Sequence, residues 1–411
     1  MSGLDGFDIP QTTANRPISI KRNNDDGLKK HVMYKQGLYN FEPEPPHILN
    51  SALKNNPISG ITLFRLIRLL YYKRKSINWW RYKHRIVALI LMGFLNSFLS
   101  FIEFIYFYIV LTCNPRIRRM VKIATTGIDS RAPIFILGHP RTGTTLLHSL
   151  LALDEERFTF CDTFMAGFPH CFLFFENIGK FLFSGILSKT RPMDNMKLHF
   201  DLPQEDELAT NLLAGFMVSP YSSIAFMRDE KEYRKYQCFR EHDTNMQDIN
   251  EWVKWFLHLL EKIKIRDVLR TSQQKSSLVA PRQLLLKSPC HTGRARLLLK
   301  LFPDAKFIFI HRDPYEIFLS GAHMASTTYG YWFLQEPTNE DIQEYILAQG
   351  EILHNEFFSC VDDGLLNTQV CLVVQKVVLN VVHNLYLTNF QTYHCIRIAL
   401  QFHLMNSQKI P

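Results

Sequence analysis

Residues 133 to 147 read Pro-Ile-Phe-Ile-Leu-Gly-His-Pro-Arg-Thr-Gly-Thr-Thr-Leu-Leu, and no other stretch constrains the fold as strongly. Ile134 to Leu137 is an apolar run of strand length, and Gly138 and Gly143 bound a short loop. Beyond the loop, Leu146, Leu147, Leu150, Leu151 and Leu153 recur at helical spacing. A strand, a glycine loop and a helix start together suit an anion, because the first N–H groups of a helix lack internal partners and carry its positive dipole end. Gly138 and Gly143 fit G-x-x-x-x-G, but the Lys that follows in nucleotide hydrolases is Thr144 here. Arg141 is the cation inside the loop, and its planar guanidinium can clamp an oxyanion with two prongs. For the loop alone, an ordinary glycine turn before a buried helix is the competing reading.

Further strands appear downstream. Gln283 to Leu286 runs into Lys287-Ser288-Pro289-Cys290-His291, and Phe307 to Ile310 delivers His311-Arg312-Asp313-Pro314-Tyr315-Glu316. Asp313 as N-cap, Pro314 at the first helical position and Glu316 three after the cap predict a capping box. Arg312 then sits at a strand-to-helix corner, on the sheet edge where open α/β folds bind ligands, with Ser320 two turns into the helix. His311-Arg312-Asp313 is not a kinase signature, because the residue five after the Asp is Phe318 and no Asp-Phe-Gly follows. Upstream, Asp201-Leu-Pro-Gln-Glu-Asp-Glu207 reads as a solvated helix start rich in acids. Its functional reading turns one carboxylate, Glu205, inward as a general base for an acceptor hydroxyl.

Composition bounds the rest. The 411 residues are 46% hydrophobic, ample for a sizeable core, and 32 Phe is high for a purely soluble enzyme. A net charge of +9 suits nucleic acid, an anionic membrane face or an anionic cofactor. No nucleic-acid module is recognisable, so no nucleic-acid partner is expected. The eight cysteines show no C-x-x-C pair or metal-ligand spacing, and neither establish a disulfide framework nor exclude one bridge. The polar first residues carry no cleavable leader pattern.

Residues 1–58 read as a flexible tail. Residues 59–125 change character: Arg65 and Arg68 interleave with leucines, then Tyr71, Tyr72, Trp79, Trp80 and several Lys and Arg follow. This suits a helix at a membrane interface, or equally a surface helix covering the core. Ile86 to Leu111 is apolar for longer than the ~20 residues a helix needs to cross a bilayer. Gly93, Asn96, Ser97, Ser100 and Glu103 fall on one face of it, so the stripe either packs on the protein's own domain or dimerises in lipid. Six basic residues precede the run and four follow it, which favours a cytoplasmic N-terminus and a lumenal remainder, while the lack of an Asn-x-Ser/Thr sequon points the other way. A membrane-associated location, Golgi or another endomembrane, is the expectation. The Phe-rich pieces between Phe158 and Ser188 read as core, or as an apolar acceptor pocket or lid.

Taken together, the chain resembles the sulfotransferases that use 3'-phosphoadenosine 5'-phosphosulfate, in the branch of bacterial and eukaryotic lipid, carbohydrate and other hydroxyl sulfotransferases. Gly138 to Leu146 looks like that family's 5'-phosphosulfate loop, and Arg312 with Ser320 eight residues later looks like its 3'-phosphate motif. Leu-Lys-Ser-Pro-x-His (286–291) and Pro-Gln-Glu-Asp-Glu (203–207) also look typical of the branch, and similarity covers roughly residues 85 to 335. The resemblance implies an α/β fold, a P-loop-like parallel sheet flanked by helices and kinase-like in topology, here with N-terminal membrane-associated helices, and no metal requirement. It implies that Arg141, Thr142, Gly143, Thr144 and Thr145 hold the 5'-phosphate and sulfuryl group, that Arg312 and Ser320 hold the 3'-phosphate, and that Lys287 assists the bridging oxygen. The acceptor would be a hydroxyl-bearing small molecule, lipid or glycan, attacked in line. Cytosolic relatives place a His two residues after the Lys, where this chain has Pro289, so Glu205 and His291 compete as general base and Glu205 is preferred. A phosphoryl transferase using the same loop is disfavoured by Thr144 at the Lys position.

The sulfotransferase domain is placed at residues 126–360 and an atypical tail at 361–411. Leu365 to Pro411 holds only Lys376, Arg397 and Lys409 as charges, and its Val-rich pieces (Val370 to Val374, Val377 to Val382) read as strands or a sticky helix without clear partners. Family members continue instead into segments that close over the nucleotide. The alternative reading is therefore a sulfotransferase-like protein with impaired or no catalysis.

Overall fold

Ile134–Leu137 (β1) is buried along its whole length, as a central strand of a parallel sheet must be when helices cover both faces. The computed structural model describes residues 56–126, 132–185, 187–275, 281–366 and 370–374. Around β1 stand Phe158–Thr159 (β2), Gln283–Lys287 (β3), Lys306–His311 (β4) and Val370–Val374 (β5), in the order β2-β3-β1-β4-β5 with every pairing parallel. Alternation along β1 divides two cores. Phe135 and Leu137 join Leu284, Leu286, Phe307 and Phe309 on one face, while Ile134 and Ile136 meet Leu147, Leu151, Leu285 and Ile310 on the other. The α/β fold with a parallel sheet is as expected. Strand order reverses between β1 and β4, so their carboxyl ends frame the crevice where such sheets take ligands.

Val370–Val374, expected to lack clear partners, pairs with β4 from Phe307↔Val370 to His311↔Val374. The sheet therefore draws an edge strand from within the segment assigned to the tail. A parallel partner is joined by a crossover, so no local pattern announces it. The N-terminal tail expected at 1–58 up to residue 55, and the C-terminal stretch from 375 onward, lie outside the described residues.

Helices α1 (Leu63–Tyr72) and α2 (Lys83–Cys113) precede the sheet, and α3 (Thr144–Leu151) follows the glycine loop. Then come α4 (Phe172–Phe183), α5 (Asp206–Leu213), α6 (Met246–Lys275), α7 (Pro314–Thr328) and α8 (Asn339–Asp362). By length and composition α2 is able to cross a membrane. Its small and polar stripe, however, packs on the protein's own residues. A Cβ on Gly93 would lie 3.1 Å from Leu63 Cα, and Ser97 Oγ accepts from Leu63 N at 2.9 Å. Asn96 Nδ2 donates to Ser59 O at 2.6 Å, and Lys262 Nζ on α6 meets Glu103 at 2.6 Å.

The acids that begin α5 are not solvated, contrary to the helix-start reading. Asp206 and Glu207 are fully buried. Glu207 takes both prongs of Arg294, NH1 to Oε2 at 2.6 Å and NH2 to Oε1 at 3.0 Å, with no exposure on either side. Trp252 Nε1 (3.0 Å) and Ser219 Oγ (2.5 Å) donate to the same carboxylate, and the Arg294 guanidinium lies over the Phe239 and Trp252 rings. Arg294→Ala strands a buried carboxylate and is expected to cost about 3–5 kcal/mol, read as a lower urea midpoint; the paired change Arg294→Met with Glu207→Gln is expected to recover part of the loss.

Candidate active site

Backbone geometry builds the loop. Gly138 has φ 148°, and a Cβ there would come within 2.7 Å of Thr142 Oγ1 and 2.9 Å of Ile310 O, so no side chain fits. Its N–H donates to Thr292 Oγ1 at 2.8 Å, tying the end of β1 to the turn after β3. Thr142 is buried, and its hydroxyl turns back to His139 O at 2.8 Å. Gly143 (φ 100°) N-caps α3, and no side chain caps that end, which leaves first-turn N–H groups for a ligand. Arg141 is held at φ 76°, which costs a non-glycine residue about 1 kcal/mol or more. The strain points its side chain across the crevice, where Nε donates to Ser320 Oγ at 3.0 Å and NH1 to Asp194 Oδ2 at 3.2 Å.

Arg312 closes the other side. Its NH1 donates to Arg141 O at 3.1 Å and its Nε to Glu316 Oε2 at 2.8 Å. Asp313 does cap α7, accepting from Tyr315 N at 2.9 Å and Glu316 N at 3.2 Å. The expected capping box is thus only half made, because Glu316 prefers a full cation to the cap's N–H.

One strand over, Lys287 lies in register with Ile136 and projects toward α3. Its Nζ is 2.8 Å from Glu205 Oε1 and 3.3 Å from Thr145 Oγ1, and Tyr221 OH donates to Glu205 Oε2 at 2.6 Å. Burial pushes the Lys287 ammonium's pKa down and Glu205 pushes it back up, with burial the larger effect. Burial and then Glu205 push the Tyr221 phenol far up, so it stays a donor. Asp206 accepts from Lys287 N at 3.1 Å and Ser288 Oγ at 3.2 Å, and its other oxygen meets His291 Nε2 at 2.5 Å. Burial, the largest single effect, raises the pKa of Asp206, but His291, a backbone N–H and His148 together leave the carboxyl below its ordinary value.

A cavity of about 400 Å³ opens beside this cluster, lined by Arg141, Thr144, Thr145 and Glu205 and walled by apolar groups including Phe168, Phe183, Phe200 and Trp332. The Phe-rich segment divides: Phe172 and Phe175 are core, while Phe168 and Phe183 line the cavity. Arg141, Arg312 and Ser320 form one bonded group and Thr145, Glu205 and Lys287 another, and the two share the loop and helix start that hold Thr142, Gly143 and Thr144. His291 touches neither group directly and reaches the Lys287 backbone only through Asp206. It is fully buried against Phe135, Trp252 and Phe256, on the sheet face opposite the one Lys287 shares with Ile136, and does not line the cavity.

A model of the sulfotransferase family matches residues 133–359. The chain belongs to the sulfotransferase family. Among curated sulfotransferases, it is 34% identical over 227 residues to omega-hydroxy-beta-dihydromenaquinone-9 sulfotransferase Stf3 from Mycobacterium bovis and equally to that from Mycobacterium tuberculosis. The match takes in 55% of this chain and 53% of theirs, so the chain spans about half the length of the curated relatives it matches. Solved sulfotransferases with a likeness are STF9 from Mycobacterium avium (TM-score 0.43, 18% identity, 73% of this chain and 72% of that one) and STF1 from Mycobacterium tuberculosis (TM-score 0.48, 15% identity, 93% of each).

Tyr221 and Asp194 join this cluster without a local sequence pattern that assigned them to it. Tyr221 sits in an irregular Pro-Tyr-Ser segment with no periodicity, and Asp194 in a turn whose partner, Arg141, is 53 positions away. His139 carries a signal of another kind. Its Nδ1 is 2.8 Å from Pro140 O, its Nε2 has no partner among the described residues, and burial lowers its pKa to about 4 against a smaller upward push from that carbonyl. Between pH 6.5, the ordinary value, and about 4, the unfolded chain binds a proton here that the folded chain does not, so stability falls as pH falls through that window. Urea unfolding at stepped pH is expected to show His139→Gln with a slope shallower by one proton, about 1.4 kcal/mol per pH unit.

Proposed function

We propose that this chain moves a sulfuryl group from 3'-phosphoadenosine 5'-phosphosulfate to the hydroxyl of an apolar acceptor by in-line displacement. The reading is carried by one juxtaposition: Lys287 Nζ, Glu205 and Thr145 meet beside an apolar cavity whose other wall is the Arg141 loop. The 5'-phosphosulfate fits the uncapped start of α3, with Arg141, Thr142, Gly143, Thr144 and Thr145 around it. Arg312 and Ser320, which already share contacts with Arg141, are the residues for the 3'-phosphate.

The acceptor oxygen attacks sulfur, the bond from sulfur to the bridging oxygen breaks, and the acceptor's proton passes to Glu205. Negative charge then builds on the departing 5'-phosphate, where Lys287 neutralises it. A lysine whose pKa is lowered by burial is also well suited to give that oxygen a proton. Tyr221 and Lys287 orient the two Glu205 oxygens, and each oxygen keeps lone-pair capacity for an incoming hydroxyl. Glu205 is preferred over His291 because it lines the cavity and His291 does not. The apolar lining supports a hydroxylated apolar acceptor, and the mycobacterial relatives are named for a hydroxylated menaquinone.

With labelled sulfate donor, Glu205→Gln is expected to lower kcat/KM about 10²–10⁴-fold and Lys287→Ala about 10²-fold or more. Full turnover in Glu205→Gln together with none in His291→Ala overturns the base assignment. Wild type is expected to be retained on immobilised adenosine 3',5'-bisphosphate and Arg312→Ala to be lost; retention of neither favours a non-catalytic relative.

A further inference from the structure

Helix α2 has two unlike faces. Inward, Arg85, Asn96, Ser97 and Glu103 are all bonded to the folded domain, Arg85 NH1 reaching Phe333 O at 2.5 Å. Outward, Val87, Leu91, Phe94, Phe98, Phe101 and Tyr108 follow one another at spacings of three, four and seven, each more than half exposed. Residues 57–126 contain a single acid, Glu103, and it is buried. The ends of the row are basic and aromatic: Lys75, Trp80 and Lys83 at one end, Arg116 and Arg119 at the other, with Lys83 Nζ 3.9 Å over the Trp80 ring.

An apolar row bounded by aromatics and cations, with no exposed acid along it, complements an anionic lipid surface. It does not suit a bilayer crossing. The inward anchors run from Arg85 to Glu103, about 27 Å of helix axis, so a crossing would carry the bonded domain, with its Glu103–Lys262 pair, into hydrocarbon. Two exposed residues also stand next in sequence to the cavity wall. Leu91 precedes Met92, and Leu182 at the end of α4 precedes Phe183; Met92 and Phe183 both line the cavity.

We propose that α2 lies flat in the interface of an anionic bilayer, as a one-sided anchor, and that the acceptor is a hydroxyl lipid drawn from that bilayer into the cavity beside Met92 and Phe183. The second half rests on the sulfotransferase reading of the cavity, and the first does not. The anchor buries its apolar row among acyl chains, the cations at its ends meet lipid headgroups, and the long apolar part of the acceptor stays out of water while its hydroxyl approaches Glu205.

Flotation of the full chain tests the anchor. Wild type is expected to float with vesicles of phosphatidylcholine mixed with phosphatidylserine and more weakly with phosphatidylcholine alone. The triple change Phe94→Ser, Phe98→Ser, Phe101→Ser is expected to lose flotation about tenfold and to keep the wild-type urea midpoint, which shows that it is folded. No flotation of wild type, or equal flotation of the variant, overturns the anchor, as does a lipid-free wild-type dimer that the variant dissociates. A membrane-impermeant maleimide added outside sealed vesicles is expected to label both Lys83→Cys and the exposed native Cys113; labelling of one end only means a crossing helix and overturns the flat placement. For the acceptor, the triple variant is expected to lose about tenfold in sulfate transfer to a long-chain alcohol held in vesicles and to keep transfer to a soluble short-chain alcohol. Equal loss on both, or on neither, overturns delivery from the bilayer. No transfer by wild type to either alcohol overturns the sulfotransferase reading and leaves the flotation result standing.

Discussion

The site hangs on three consecutive acids that leave the chain in three directions. Glu207 is locked by Arg294 at zero exposure, Asp206 holds the backbone and side chains that follow β3, and Glu205 alone reaches the cavity. Because Glu207 and Asp206 are fixed, the start of α5 has one position relative to the end of β3, and the Glu205–Lys287 contact follows from that geometry. Each buried charge here is matched by donors on all sides, the condition under which such groups are tolerated in a protein interior. The three acids thus divide their labour: two fix the frame so that one remains free to face the cavity.

Much of the frame was legible in the sequence where its cause is local. The strand, loop and helix at 134–151 are encoded by an apolar run, two glycines and a leucine period within a few turns, and the structure holds all three. Arg312 at its strand-to-helix corner was legible for the same reason, since Asp313 and Pro314 mark the helix start. What was not legible involves choices between partners distant in sequence. Acids at a helix start look alike whether they meet water or Arg294, 87 positions away, and Glu316 turns to Arg312 only because a cation is within reach. His291 shares a motif with Lys287 yet falls on the other face, since the turn after β3 reverses which side of the sheet each residue meets. Sequence spacing gave proximity along the chain, not the face.

The long apolar helix shows the same limit in another form. Composition alone allowed a bilayer span or a buried helix, because both need apolar residues in number. The deciding information lay in the bonds of Asn96, Ser97 and Glu103, which consume one face and leave a phenylalanine row on the other. The stripe packs on the protein's own domain, one of the two readings open to it, while the opposite face stays bare.

Arg141 carries a consequence for affinity. Asp194 sits on its guanidinium, so the loop's positive charge is already answered by an internal anion. An incoming anion has to win an exchange against a carboxylate tethered nearby, and its affinity is the difference between two interactions. Small monovalent anions gain little in that exchange, whereas a ligand that engages Arg141, the α3 start and Arg312 together gains at several points. Asp194 therefore sets a threshold at the loop: whatever takes Arg141 must first displace a carboxylate that is already there.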